Sequence, residues 1–176
     1  AAGQGGGELS PDGKAIFHVL RETGKTDRIM VYQIDTKEER ELFRSVPPQS
    51  MVRFWPLPSP DGRQLAFVLR DTVANTVAIK VMPARGGEVR ELAGGLRSQD
   101  VNWGALAGWS PDGRYLYFAT AGQSAGLWRV ATDGGAPKKL DVNIKGLSCP
   151  SLHPDGRHIS FSAELDRAYA LCSRNL

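Results

Sequence analysis

Few side chains in this 176-residue chain have the type and spacing that chemistry requires. A serine hydrolase holds its nucleophile on a sharp Gly-x-Ser-x-Gly turn. The nearest stretch, Gly108-Trp109-Ser110-Pro111-Asp112, lacks the second glycine. Its Ser-x-Asp pair also recurs as Ser10-x-Asp12 and Ser59-x-Asp61, where turn geometry explains both residues, so no catalytic residue is assigned. Cys149, His153 and His158 lie close together, but they match no established metal-ligand spacing and no fourth ligand is evident. His153 then reads as a replacement for the serine of a turn, and neither a metal nor a cofactor is expected. Gly3 to Gly7 precedes no helix and lacks a Lys-Ser/Thr pair, which excludes a phosphate-binding loop there.

The residues that do recur define an architecture. Leu9-Ser-Pro-Asp-Gly-Lys14, Pro58-Ser-Pro-Asp-Gly-Arg63, Trp109-Ser-Pro-Asp-Gly-Arg114 and Leu152-His-Pro-Asp-Gly-Arg157 are four copies of one turn. Their aspartates, Asp12, Asp61, Asp112 and Asp155, recur 49, 51 and 43 residues apart, the period of a four-stranded propeller blade. In each copy the proline (Pro11, Pro60, Pro111, Pro154) fixes φ at the first corner and the aspartate accepts nearby amides. The glycine (Gly13, Gly62, Gly113, Gly156) takes the positive-φ position.

After every turn comes an alternating strand: Ala15 to Leu20, Gln64 to Leu69, Tyr115 to Thr120 and His158 to Ser162. Phe17, Phe67, Phe118 and Phe161 read as one repeated core position on these strands. A third strand follows in each copy, then Asp35-Thr36, Arg85-Gly86-Gly87 or Asp133-Gly134-Gly135, then a short outer strand. Weaker apolar stretches around Val52 to Leu57, Ala105 to Trp109 and Leu147 to Leu152 supply inner strands. The fold class is all-β, a propeller segment of about four four-stranded blades. Residues 1–8 are expected as a flexible cut end, 9–45 as a blade without its inner strand, 46–95 and 96–142 as full blades, and 143–176 as a blade without its outer strand. The first and last blades being incomplete, the segment is expected to be part of a larger ring.

Composition agrees with that reading. Twenty glycines and eleven prolines are scattered along the chain, as many short strands and tight turns require. A net charge of +3, from 22 basic and 19 acidic residues mixed throughout, points to no nucleic-acid partner. No apolar run approaches the roughly 20 residues that cross a bilayer, so no direct membrane insertion is expected. Cys149 and Cys172 fall on the first and third strands of one blade, two strand spacings of about 4.8 Å apart, beyond the reach of a disulfide. Both are expected as free thiols.

These motifs resemble the TolB-like, or WD40-like PD40, propeller repeats of bacterial proteins, which carry the same Ser-Pro-Asp-Gly-Arg turn and a later Asp-Gly-Gly turn. The resemblance runs from Leu9 to about Leu171. It implies a non-catalytic binding or scaffold module, extracytoplasmic (periplasmic), with a protein partner or small ligand. The missing blades would come from the rest of the parent chain or from a second copy. The same turn occurs in propellers that cap prolyl-oligopeptidase-like serine peptidases, and the alternative is the regulatory propeller of such an enzyme.

Propellers bind through loops at the end opposite the turn that joins the first two strands. That places candidate binding residues in the loop between the second and third strands, Arg70 and Asp71, and in or beside the connections between blades, Arg53, Trp55, Asn102, Trp103 and Lys145. Arg53, Trp55 and Trp103 are the sharper candidates, because Arg and Trp concentrate binding energy at interfaces.

Overall fold

Short, alternating strands separated by turn residues can satisfy their backbone only by pairing with chain neighbours, and they do so here as a series of antiparallel meanders. The computed structural model describes residues 6–21, 26–52, 55–101, 106–122, 125–142, 148–165 and 168–176. The chain divides into two compact units, Ala1–Gly95 and Leu96–Leu176.

The first unit carries two sheets. In one, β1 (Gly7–Leu9), β2 (Ala15–Leu20), β3 (Arg28–Gln33) and β4 (Glu39–Arg44) pair in chain order. Residues 7 and 8 thus belong to an inner strand, in register Gly7 to His18 and Leu9 to Ile16, where the sequence reading had a flexible end and an incomplete blade. Strand pairing uses backbone groups, and glycine is favoured where the neighbour is close. A Cβ on Gly7 would stand 2.7 Å from Ile16 Cγ2.

The second sheet holds β5 (Gln49–Met51), β6 (Leu57–Pro58), β7 (Gln64–Asp71), β8 (Thr76–Pro83) and β9 (Arg90–Arg97). Its inner strand is split, because β5 and β6 both pair with β7, near opposite ends. Pro56, directly before β6, has no N–H to give the ladder.

In the second unit, β10 (Leu106–Trp109), β11 (Tyr115–Thr120), β12 (Gly126–Ala131) and β13 (Lys138–Lys139) form a four-stranded sheet. A last sheet contains three described strands, β14 (Ser148–Leu152), β15 (His158–Leu165) and β16 (Ala168–Asn175). Both inner strands bulge near their middle, between Leu106 and Gly108 and between Ser148 and Ser151. The first bulge brings Gly108 (φ +145°) so near the last sheet that a Cβ would meet Leu152 Cβ at 3.0 Å. Cys149 on β14 and Cys172 on β16 are free, with β15 between them.

Cores lie between successive sheets within each unit. Phe17, Ile29, Val31, Leu65, Phe67 and Leu69 pack together in the first, and Ala107, Tyr117, Leu127, Ile159 and Phe161 in the second. The four phenylalanines are all buried but are not one repeated position. Phe17 is two residues past Ala15, whereas Phe67, Phe118 and Phe161 are three past Gln64, Tyr115 and His158, the residues at the same place after the turn. One residue along a strand reverses the face. Phe17 therefore points toward the sheet that follows it and meets Phe67, which points back.

Candidate functional site

The four Pro-Asp-Gly turns join the first two strands of every sheet and use nearly all of their polar atoms internally. Each glycine is left-handed, with φ of 72°, 68°, 69° and 67° at Gly13, Gly62, Gly113 and Gly156. In the first three, the serine hydroxyl donates to the aspartate Oδ1 at 2.6, 2.7 and 2.6 Å. The same Oγ accepts the first amide of the next strand, from Ala15, Gln64 and Tyr115, at 2.9 Å in each case. The aspartate Oδ1 takes a further amide, from Lys14, Arg63 and Arg114. Serine donation, then amide donation, hold the Asp12, Asp61 and Asp112 carboxyls below the ordinary aspartate range. Ser110 Oγ thus donates to Asp112 and accepts Tyr115 N–H.

The fourth turn is rebuilt. His153 stands in the serine position, and Asp155 Oδ1 takes over both amides, Arg157 at 2.8 Å and His158 at 3.1 Å. The Arg157 amide is the leading cause of a lowered Asp155 pKa. Asp155 N–H donates to His153 Nδ1 at 3.3 Å, and Asp155 Oδ2 lies 2.5 Å from His158 Nδ1.

The opposite end of the first unit's sheets is built differently. Asp71 accepts Val73 N–H and Ala74 N–H at 2.9 and 2.8 Å, fixing the tip of the β7–β8 hairpin, while left-handed Asn75 (φ +54°) closes it. Arg70, exposed, donates to Asn75 Oδ1 at 2.9 Å. Thr72 anchors the tip on the connection that enters β5, its N–H and hydroxyl both donating to Pro48 O at 3.1 and 2.8 Å. The result is a fixed ledge on which Val73 is 83% and Val46 68% exposed.

Below this ledge a buried carboxylate pairs with an exposed arginine, an arrangement that the residue types did not reveal. Asp27, 5% exposed, accepts Arg21 Nε at 2.7 Å, Arg21 Nη2 at 2.9 Å and Met51 N–H at 2.7 Å. Arg21 also donates to Met51 O, and Asp27 N–H donates to Ser45 Oγ at 3.0 Å. Asp27 therefore ties the start of β3 to the inner strand of the next sheet. In the second unit, Asp100, 4% exposed, accepts Arg97 Nε at 3.2 Å, while its carbonyl accepts Ala121 N–H at 2.7 Å. A sequence shows a charged residue before an apolar strand in both cases, and only the packing distinguishes a buried carboxylate from a solvated one.

Of the candidate binding residues, Arg70 and Asp71 come together at the hairpin, with Asp71 spent on its own turn. Trp55 lies on the chain between β5 and β6 rather than at a loop tip, and a Cβ on Gly6 would stand 2.6 Å from its ring. Arg53, Asn102, Trp103 and Lys145 lie outside the described residues. The exposed valines, Val46 and Val73, were missed, since a valine near a turn carries no sequence signal of exposure.

No protein-family model matches the chain. It is similar to an uncharacterized peptidase, YuxL, of Bacillus subtilis (strain 168), at 32% identity over 124 residues, covering 66% of this chain and 18% of that protein. TolB from Acinetobacter baumannii superposes with a TM-score of 0.75 at 20% identity, over 96% of this chain and 40% of that one. An oligogalacturonate lyase in complex with manganese gives 0.73 at 17% identity, over 98% and 51%. A puromycin-hydrolyzing peptidase of Mycobacterium tuberculosis gives 0.67 at 22% identity, over 94% and 29%. The fold is that of a TolB-like β-propeller, and the chain spans between about a fifth and a half of the length of these relatives.

Proposed function

We propose that this propeller segment is a non-catalytic interaction module that binds a protein partner through the ends of its sheets opposite the Pro-Asp-Gly turns. The observation that carries the reading is the division of labour between the two ends. At the turn end of the first three copies, the hydroxyl donates to the carboxylate and both accept backbone amides of the turn and the next strand. At the other end of the first unit, a hairpin fixed by Asp71 and Thr72 presents exposed Val46, Arg70 and Val73. Side chains on a backbone already fixed by hydrogen bonds are ones a partner can bury at low ordering cost, and Arg70 is of a type enriched where interfaces concentrate their energy. Arg53 and Trp55 are proposed as further partner contacts of the first unit, and Asn102, Trp103 and Lys145 as partner contacts of the second. Likeness to TolB favours a periplasmic setting, and the missing blades would come from the parent chain or a second copy.

The second reading, a regulatory propeller attached to a serine peptidase, is favoured by the likeness to YuxL and to the puromycin-hydrolyzing peptidase. One experiment separates the two. A photo-crosslinking residue replaces Val73, and separately Arg63 of a turn, in the complete parent protein in its own cell. The interaction reading predicts an intermolecular adduct from position 73 and none from position 63. Adducts within the same chain to a hydrolase domain would establish the second reading, and adducts only from position 63 would refute the proposed binding end.

A further inference from the structure

The geometry points to a metal site at the fourth turn: we propose that His153, Asp155 and His158 bind a divalent first-row transition ion of the zinc, nickel and copper class. One constant position of the repeat and one variable one both carry histidine in the fourth copy. Ser10, Ser59 and Ser110 become His153, and Ala15, Gln64 and Tyr115 become His158. The first change removes the hydroxyl that bound the aspartate in the other copies, and Asp155 Oδ1 takes on both strand amides in its place. This turns Oδ2 toward two imidazoles, 3.2 Å from His153 Nδ1 and 2.5 Å from His158 Nδ1.

Three Lewis-basic atoms then converge, all within 4.8 Å of one another. His153 Nδ1 accepts the Asp155 amide at 3.3 Å and His158 Nδ1 is hydrogen-bonded to Asp155 Oδ2 at 2.5 Å, so an ion bound here replaces both hydrogen bonds. Such a cluster is stabilised by a cation placed among its members. With metal–ligand bonds of about 2.0 to 2.1 Å, neighbouring donors in a tetrahedral site stand about 3.3 Å apart, the separation of His153 Nδ1 from Asp155 Oδ2, whereas the His158 Nδ1 contact at 2.5 Å opens slightly to admit an ion. The two rings are already nearly perpendicular, at 83°, with centroids 5.9 Å apart.

Imidazole nitrogen with one carboxylate selects zinc, nickel or copper over calcium or magnesium, which take oxygen ligands. The backbone supports the carboxylate through the Arg157 and His158 amides, as an outer shell of hydrogen bonds supports ligands elsewhere. Cys149 does not belong to the group. Three protein ligands at an accessible turn leave coordination positions for water or for a donor from a partner. The expectation that no metal binds rests on the lack of an established ligand spacing and of a fourth protein ligand, and it considers Cys149 rather than Asp155 beside the histidines.

The test is zinc binding to the tag-free chain by calorimetry, with the imidazole signals followed by NMR. The wild type takes up one zinc ion, and the resonances of His153 and His158 move while those of His18 do not. His153→Ser and His158→Gln restore the residues found in other copies, keep the thermal midpoint near that of the wild type, and each bind zinc at least tenfold more weakly. Cys149→Ser binds as the wild type does. Absence of saturable uptake, uptake undiminished in the two histidine variants, or movement of His18 alone would overturn the site. The NMR arm decides the matter on the wild type if a variant fails to fold.

Discussion

Ser110 has a hydroxyl, a nearby carboxylate and a place on a sharp turn, the ingredients from which a nucleophile is made. Its surroundings assign it elsewhere, since Oγ donates to Asp112 and accepts Tyr115 N–H. Replacing Ser110 by alanine leaves that strand amide without its acceptor, and should lower stability by about 1 to 2 kcal/mol in denaturant titrations. The same hydroxyl is the leading cause of the lowered Asp112 pKa. A carboxyl held below its unfolded value contributes stability that is complete above the ordinary aspartate range and is lost as pH falls through the folded value. The wild type is therefore expected to lose stability on acidification below about pH 4. In Ser110→Ala, NMR titration should find the Asp112 carboxyl moved back up toward its ordinary value; an unchanged titration would mean that the serine does not set it.

At the scale of elements, the buried Asp27 joins two neighbouring sheets. Asp27→Ala removes the acceptor of Met51 N–H and the partner of Arg21, and is expected to cost about 2 to 4 kcal/mol in chemical unfolding. Asp27→Asn, which keeps an acceptor for Met51 N–H, should cost less, and equal losses would contradict the arrangement. This ion pair also shows where the sequence stops being informative. Turns are written in local chemistry, and the four Pro-Asp-Gly copies with left-handed glycines were legible residue by residue. So were the alternating second strands. Positions set by the neighbouring sheet are not: Phe17 differs from its three counterparts only by one residue counted from the turn, and Gly7 is a strand residue only because it packs against Ile16. The binding end was legible as a location, through Arg70 and Asp71, but its exposed valines and the partnership of His153 with Asp155 depend on which way side chains turn once the loops close.

For the whole molecule, the chain has the fold of a TolB-like propeller and covers 40% of one solved TolB chain. On the proposed reading, its two ends have separate tasks, with structure at the turns and recognition at the opposite loops. That separation can be measured directly on the complete parent protein, with the partner captured through Val73, by comparing Val73→Glu with Ser110→Ala for both partner affinity and thermal midpoint. The account predicts that Val73→Glu weakens binding at least tenfold, a loss of about 1.4 kcal/mol or more, with an unchanged midpoint. Ser110→Ala should lower the midpoint and leave affinity intact at temperatures where the protein is folded. Full affinity in Val73→Glu, or a loss of binding confined to folded Ser110→Ala, would contradict it.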